Sequence, residues 1–109
     1  MVQKIYELHA EICKILSNSK RLEILNLLRN GEKSVSELIS LAKITQANLS
    51  QHLAILRRKD IVTTRREGTN IYYKIANPKI IQACDIIREV LIEQLAEKEK
   101  LVKKIRKSS

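Results

Sequence analysis

Residues 45–58 read Thr45-Gln46-Ala47-Asn48-Leu49-Ser50-Gln51-His52-Leu53-Ala54-Ile55-Leu56-Arg57-Arg58, and this stretch decides the fold. Leu49, Leu53 and Leu56 recur every three or four residues, the spacing that lines one face of an α-helix. Gln46, Ala47, Ser50, Gln51 and Ala54 fall on the other side, where side chains are short or form two hydrogen bonds. Such a face suits the major groove of a duplex, because bulk is absent and Gln or Ser can read base edges. Upstream, residues 35–41 form a second short amphipathic segment, joined through Ala42-Lys43-Ile44. Two short helices at a tight joint, the second opening on a Thr45 cap, imply a helix-turn-helix over residues 34–58.

The rest of the chain is punctuated by two Gly and one Pro. Gly31 follows Leu27-Leu28-Arg29-Asn30 and reads as a helix-closing residue in the left-handed conformation. Before it, Ile5, Leu8, Ile12 and Ile15/Leu16 predict a helix over residues 3–16. Leu22, Leu25 and Leu28, flanked by Ile24 and Leu27, predict another over 19–30. Residues 61–66 and 70–75 are rich in β-branched and aromatic side chains around Glu67-Gly68-Thr69, a two-stranded hairpin and wing over 61–75. Asn77-Pro78 then fits the start of a last helix, 78–106, on the order of 40 Å long. Fold class follows: one mainly α domain over 1–109 with a small β-hairpin, a winged helix-turn-helix of order α-α-α-α-β-β-α.

That last helix is longer than so small a globule can cover. Ile80/Ile81, Cys84, Ile87, Leu91 and Leu95 form a stripe, continued by Val102 and Ile105 and interrupted by Lys98. An apolar stripe on a protruding helix calls for a partner, and a second copy is the simplest one. A homodimer through the terminal helices is expected.

The chain has 109 residues and a formal net charge of +9, a surplus that favours a polyanionic partner. Its three Tyr, with no Phe or Trp, argue against an aromatic RNA-binding sheet. No apolar run approaches the length of a membrane span, and the first residues lack a signal peptide's apolar region. A cytoplasmic protein with no membrane partner is expected. His9 and His52 are the only histidines, there is no Gly-rich phosphate loop, and no nucleophile–base–orienter trio can be assembled, so an enzyme is not expected.

At this point the chain resembles the ArsR family of winged-helix repressors, over roughly residues 8 to 92. The landmarks are Leu16-Ser17-Asn18-Ser19-Lys20-Arg21-Leu22-Glu23-Ile24-Leu25, Val35-Ser36-Glu37-Leu38 and Leu49-Ser50-Gln51-His52-Leu53-Ala54-Ile55-Leu56-Arg57. They continue with Val62-Thr63-Thr64-Arg65-Arg66-Glu67-Gly68 and close on Ile71-Tyr72-Tyr73. The resemblance implies a dimeric repressor that binds operator DNA and releases it when an inducer, often a metal ion or an oxidant, is sensed.

Gln46, Ser50 and Gln51 are the first candidates for base contact, with Ala47 allowing close approach. Asn48 flanks them, and His52 lies one residue from the apolar stripe, suited either to a phosphate or to packing within the fold. Thr45 caps the helix and exposes amides to a phosphate. Arg65, Arg66 and Thr69 flank the wing tip, where guanidinium groups can meet phosphates or the minor groove, or serve only solubility. Lys33, Ser34 and Lys43 add backbone contacts. With two copies, an inverted-repeat duplex operator is expected.

Sensing residues are sparse. Metal-sensing relatives carry thiolates in the first motif helix or His and carboxylates on the last helix, and both sets are missing here. Neither position of the thiol-switch relatives, one near Asn26, carries Cys. His9 and Cys13, four residues apart, with Cys84 on the last helix, leave three alternatives: a thiophilic metal site, a dithiol redox pair, or core packing as small hydrophobes. Core packing is the first expectation, with no cofactor. Two other functions stand beside the regulator: a winged-helix protein-interaction module, and a sequence-blind architectural protein coating DNA through Lys103-Lys104-Ile105-Arg106-Lys107.

Overall fold

The computed structural model describes residues 1–108. Helix α1 (Val2–Leu16) is followed by α2 (Ser19–Leu27), which opens where the Asn18 side chain accepts the Arg21 backbone N–H. A two-residue strand β1 (Lys33–Ser34) leads into α3 (Val35–Ala42), and α4 (Gln46–Arg58) completes the helix-turn-helix. Strands β2 (Val62–Glu67) and β3 (Asn70–Ile75) form the wing, and α5 (Lys79–Ser108) closes the chain. The structure therefore has the winged helix-turn-helix order read from the sequence.

One strand lies outside the sequence pattern. The wing is a three-stranded antiparallel sheet of order β1-β3-β2, not a two-stranded hairpin. Lys33 pairs with Tyr73 and Ser34 with Tyr72. Two residues are too few to show alternation, and their hydrogen-bond partners lie far along the chain. The consequence is structural, because the third strand joins the wing to the start of α3.

Packing separates residues 1–78 from α5 as two units. The core of the first unit is wholly apolar: Ile24, Leu25 and Leu28 from the second helix and its end, Leu38 and Ala42 from α3, Leu49, Leu53 and Leu56 from α4, then Ile61 and Val62. No polar or charged residue is buried among the described residues. Burying one such Leu contributes about 1.5–3 kcal/mol, so three on α4 hold its orientation firmly. α1 buries none of its residues fully, and Ile5 and Leu8, part of the spacing that predicts this helix, are exposed.

Backbone conformations fix the joints. Gly31 has φ +143° and Gly68, at the wing tip, +61°, both unfavourable for a side chain. Lys43 is left-handed without being glycine (φ 52°, ψ 52°), at a cost of roughly 1–2 kcal/mol. It ends α3 and turns the chain toward α4. The Lys20 ammonium donates to the Ala42 carbonyl at 3.0 Å and so satisfies the end of the same helix.

Helix α5 has 30 residues, about 45 Å at 1.5 Å per residue. Ile87, Leu91 and Leu95 on its apolar stripe are more than half exposed, as are Leu101 and Ile105 near its end. Among the described residues no helix is long and apolar enough to cross a membrane.

Candidate nucleic-acid interface

α4 is placed from both sides. Its N-terminus is capped by Thr45, whose hydroxyl accepts the Asn48 N–H at 3.2 Å. Its inner face is held by Leu49, Leu53 and Leu56, each at most 1% exposed. Gln46, Ala47, Asn48, Ser50, Gln51 and Ala54 are all exposed. At about 100° per residue, Ala47 and Gln51 lie opposite the leucines, while Gln46 and Ser50 turn toward one flank.

That flank faces the sheet. A cleft of about 270 Å³ is lined by Ser34, Gln46, Ser50, Thr69, Asn70 and Tyr73, among others. Ser34 enters it through the start of α3, where its hydroxyl accepts the Glu37 N–H and the Glu37 carboxylate accepts the Ser34 N–H, both at 3.1 Å. Hydrogen bonding to the Ser34 backbone N–H, and secondarily to its side chain, holds the Glu37 carboxyl below its usual range. The Ser34 hydroxyl is therefore engaged as a helix cap, and Lys33 is half-buried in β1. Asn70 and Tyr73 escape a reading of the sequence, since only the β1–β3 pairing brings their strand beside Ser34.

The two wing arginines differ. Arg65 pairs across the sheet with Tyr72, and Arg66 with Ile71. Successive strand residues point to opposite faces, so Arg66 shares the face of Ile71 and Tyr73, which line the cleft beside α4. Arg65 is on the other face, committed internally. Its guanidinium donates to Glu32 at 2.6 and 3.2 Å and to Glu67 at 2.8 Å, and lies 4.5 Å from the centre of the Tyr72 ring. The bonds to Glu32 and Glu67 raise its pKa further above the ordinary range and lower that of Glu32. Arg66 is exposed. Thr69, beside Gly68, is exposed at the tip.

His52 is half-buried on the flank of α4 that meets α2. Its Nδ1 accepts the Arg21 Nε–H at 3.3 Å, and Arg21 also donates to the Ile15 carbonyl at 3.0 Å. Burial first, then the charges of Arg21 and Lys20, push the His52 pKa below its usual 6.5. Its Nδ1 is bonded within the fold. Lys43 is exposed in the turn, and Lys59, at the end of α4, pairs with Glu11 of α1 at 3.1 Å.

The sensing candidates fare differently. Among the described residues no group of three or more His, Cys, Asp and Glu is positioned to hold a metal ion. Cys13 is exposed, correcting its expected place in the core, because at about 100° per residue it lies to one side of the stripe whose Ile12, Ile15 and Leu16 are half-buried. Cys84 is half-buried, and that burial raises its thiol pKa. A thiol so shifted is less of a thiolate at neutral pH.

Known proteins share this architecture. The family model described as bacterial regulatory protein, arsR family, matches residues 18–64. The HTH-type transcriptional regulator Rv0081 of Mycobacterium tuberculosis is 36% identical over 105 residues, 95% of this chain and 92% of that protein. The arsenical resistance operon repressor of Staphylococcus aureus is 39% identical over 85 residues, 75% of this chain and 82% of the repressor. The crystal structure of Rv0081 superposes with a TM-score of 0.79 at 39% identity, covering 86% of this chain and 95% of that one. The homodimeric winged helix-turn-helix DNA-binding domain of Mb0332 from Mycobacterium bovis superposes with a TM-score of 0.76 at 31% identity, covering 85% and 86%. Identity and coverage of this order, on a shared fold, show that the chain belongs to the ArsR family of bacterial regulatory proteins and is a transcriptional regulator, not an enzyme.

Proposed function

We propose that the protein is a cytoplasmic homodimeric repressor that binds an inverted-repeat DNA operator, with α4 in the major groove and the wing along the backbone. The observation that carries this reading is the two-sided character of α4: three leucines buried, and Gln46, Ala47, Ser50 and Gln51 presented to solvent. Gln51 reads a base edge beside Ala47, whose methyl permits close approach. Gln46, Asn48 and Ser50 flank that contact, and Thr69 and Arg66 add backbone contacts from the wing. Lys43 and the amides at Thr45 face phosphates. Arg65 orients the wing, and His52 fixes α4 against α2.

Dimerisation is supported by the exposed apolar side chains of α1 (Ile5, Tyr6, Leu8) and of α5 (Ile87, Leu91, Leu95), and by the homodimeric state of the Mb0332 domain. Repression is supported by the named role of the Staphylococcus aureus relative. Cys13 and Cys84 are assigned no sensing role.

Selection of bound duplexes from a random pool tests this directly. A palindromic consensus with half-sites about one helical turn apart is expected. Gln51→Ala should relax preference at one position per half-site, by about 1–3 kcal/mol. A pool that yields no consensus, or a Gln51→Ala variant that selects the same one, would overturn the assignment of α4.

A further inference from the structure

The end of α5 carries a charge pattern that the helix-turn-helix leaves unexplained. Residues 100–107 contain five cations, Lys100, Lys103, Lys104, Arg106 and Lys107, and no acid. Residues 79–99 of the same helix contain three cations against five acids. More than half of the chain's net charge of +9 is therefore concentrated in eight residues. The segment is helical through Ser108, so its charges have fixed directions. At about 100° per residue the five cations span an arc of about 160°, and Leu101, Val102 and Ile105 occupy an opposite arc of about 100°. Lys100 and Lys103 reach Glu97 and Glu99 at 3.6 and 3.4 Å, through side chains between 69% and 76% exposed. Exposed pairs of that kind yield readily to a competing anion.

The partner follows from how the two arcs are used. A lipid surface binds such a helix through both together, the apolar arc inserted and the cations at the headgroups. Here Val102 and Ile105 continue the stripe of Ile87, Leu91 and Leu95, which the proposed dimer gives to the second copy. The cationic arc then faces away from that stripe. A face with a surplus of positive charge suits a regularly spaced polyanion that demands no apolar contact, the phosphodiester backbone. We infer that the last turns of α5 form a second, sequence-independent DNA contact. It rests on the dimer reading above and adds a contact that raises affinity for all duplexes equally.

The test is the full-length variant Lys103→Gln/Lys104→Gln/Lys107→Gln, whose glutamines keep helix propensity. Wild type and variant are titrated at several salt concentrations against a duplex of arbitrary sequence and against the selected operator. The variant should bind both more weakly, by the same factor, and its log-affinity against log-salt slope should fall by about 0.9 for each phosphate left unneutralised. The corresponding Lys→Arg triple variant should restore the wild-type slope. Unchanged slopes on both duplexes would overturn the proposal. So would loss of binding to phosphatidylglycerol vesicles with unchanged DNA slopes, which would assign the segment to a lipid surface. If selection yields no consensus, the operator reading fails, whereas the arbitrary-duplex titration still decides the role of the tail.

Discussion

α4 and α5 carry the same kind of pattern and meet opposite fates. On α4, Leu49, Leu53 and Leu56 are at most 1% exposed. On α5, Ile87, Leu91 and Leu95, at equivalent helical spacing, are between 51% and 67% exposed. Periodicity therefore fixes which face of a helix is apolar and leaves open what covers it. α4 has its cover inside the chain, from β2 and α3, and so its outer face is free to meet DNA. α5 has its apolar side chains exposed from Ile87 onward, and the helix is suited to joining copies.

Disabling α5 should have the largest effect. Leu91→Glu/Leu95→Glu should convert the dimer to monomer in sedimentation, since each buried Leu contributes about 1.5–3 kcal/mol and two are removed from each copy. Affinity for a full palindrome should fall toward that for a half-site. A variant that remains dimeric would show that this stripe is not the seam. The corresponding change inside the chain, Leu53→Ala, should instead lower stability by about 2–5 kcal/mol in denaturant unfolding, with the variant still dimeric at low denaturant. A stability loss of comparable size from both variants would erase the distinction between the helices.

The wing offers a smaller version of the same contrast. Arg65 and Arg66 are adjacent, yet one is bound to Glu32 and Glu67 and the other is exposed on the cleft side. Arg66→Ala should reduce the salt slope of DNA binding by about 0.9 for each phosphate that the guanidinium had neutralised, with little change in unfolding. Arg65→Ala should leave that slope intact and shift the unfolding midpoint slightly. Reversed outcomes would return Arg65 to the interface.

These contrasts show what the sequence can disclose. The helix-turn-helix is legible because its signals are local: Thr45 at the cap, Leu49, Leu53 and Leu56 at fixed offsets, Lys43 in the joint. The long α5 is legible for the same reason. β1 is not, because its two residues, Lys33 and Ser34, acquire strand character only by pairing with Tyr72 and Tyr73. Arg65 cannot be separated from Arg66 by sequence, since its partner Glu32 lies 33 residues away. His52 stands open between phosphate contact and packing until its partner Arg21, 31 residues distant, is seen. Cys13 reads as a core residue because it adjoins an apolar stripe, whose spacing does not show how far around the helix the cover extends. Local chemistry reads directly, and long-range pairing requires coordinates.

The smallest expected effect concerns the seam between α2 and α4. Neutral His52 accepts the Arg21 Nε–H through Nδ1, and a protonated imidazole has no lone pair to do so. Its folded pKa is lowered from 6.5, mainly by burial and then by Arg21 and Lys20. Because the unfolded chain then binds the proton more readily, stability is fully present above 6.5 and declines as pH falls toward the lowered folded value. Glu32 and Glu37 also have lowered values, but their contribution is lost only as pH falls below the ordinary 4.5. Denaturant unfolding between about pH 7.5 and about pH 5, at fixed protein concentration, therefore reads a window in which His52 contributes and those two carboxylates do not. Wild type should lose stability modestly across it. His52→Asn, whose amide oxygen takes the place of Nδ1 and accepts from Arg21 at any pH, should show a shallower loss. An equal slope in the two proteins would mean that the Arg21–His52 bond contributes nothing to holding α4, leaving the buried leucines as its sole anchor.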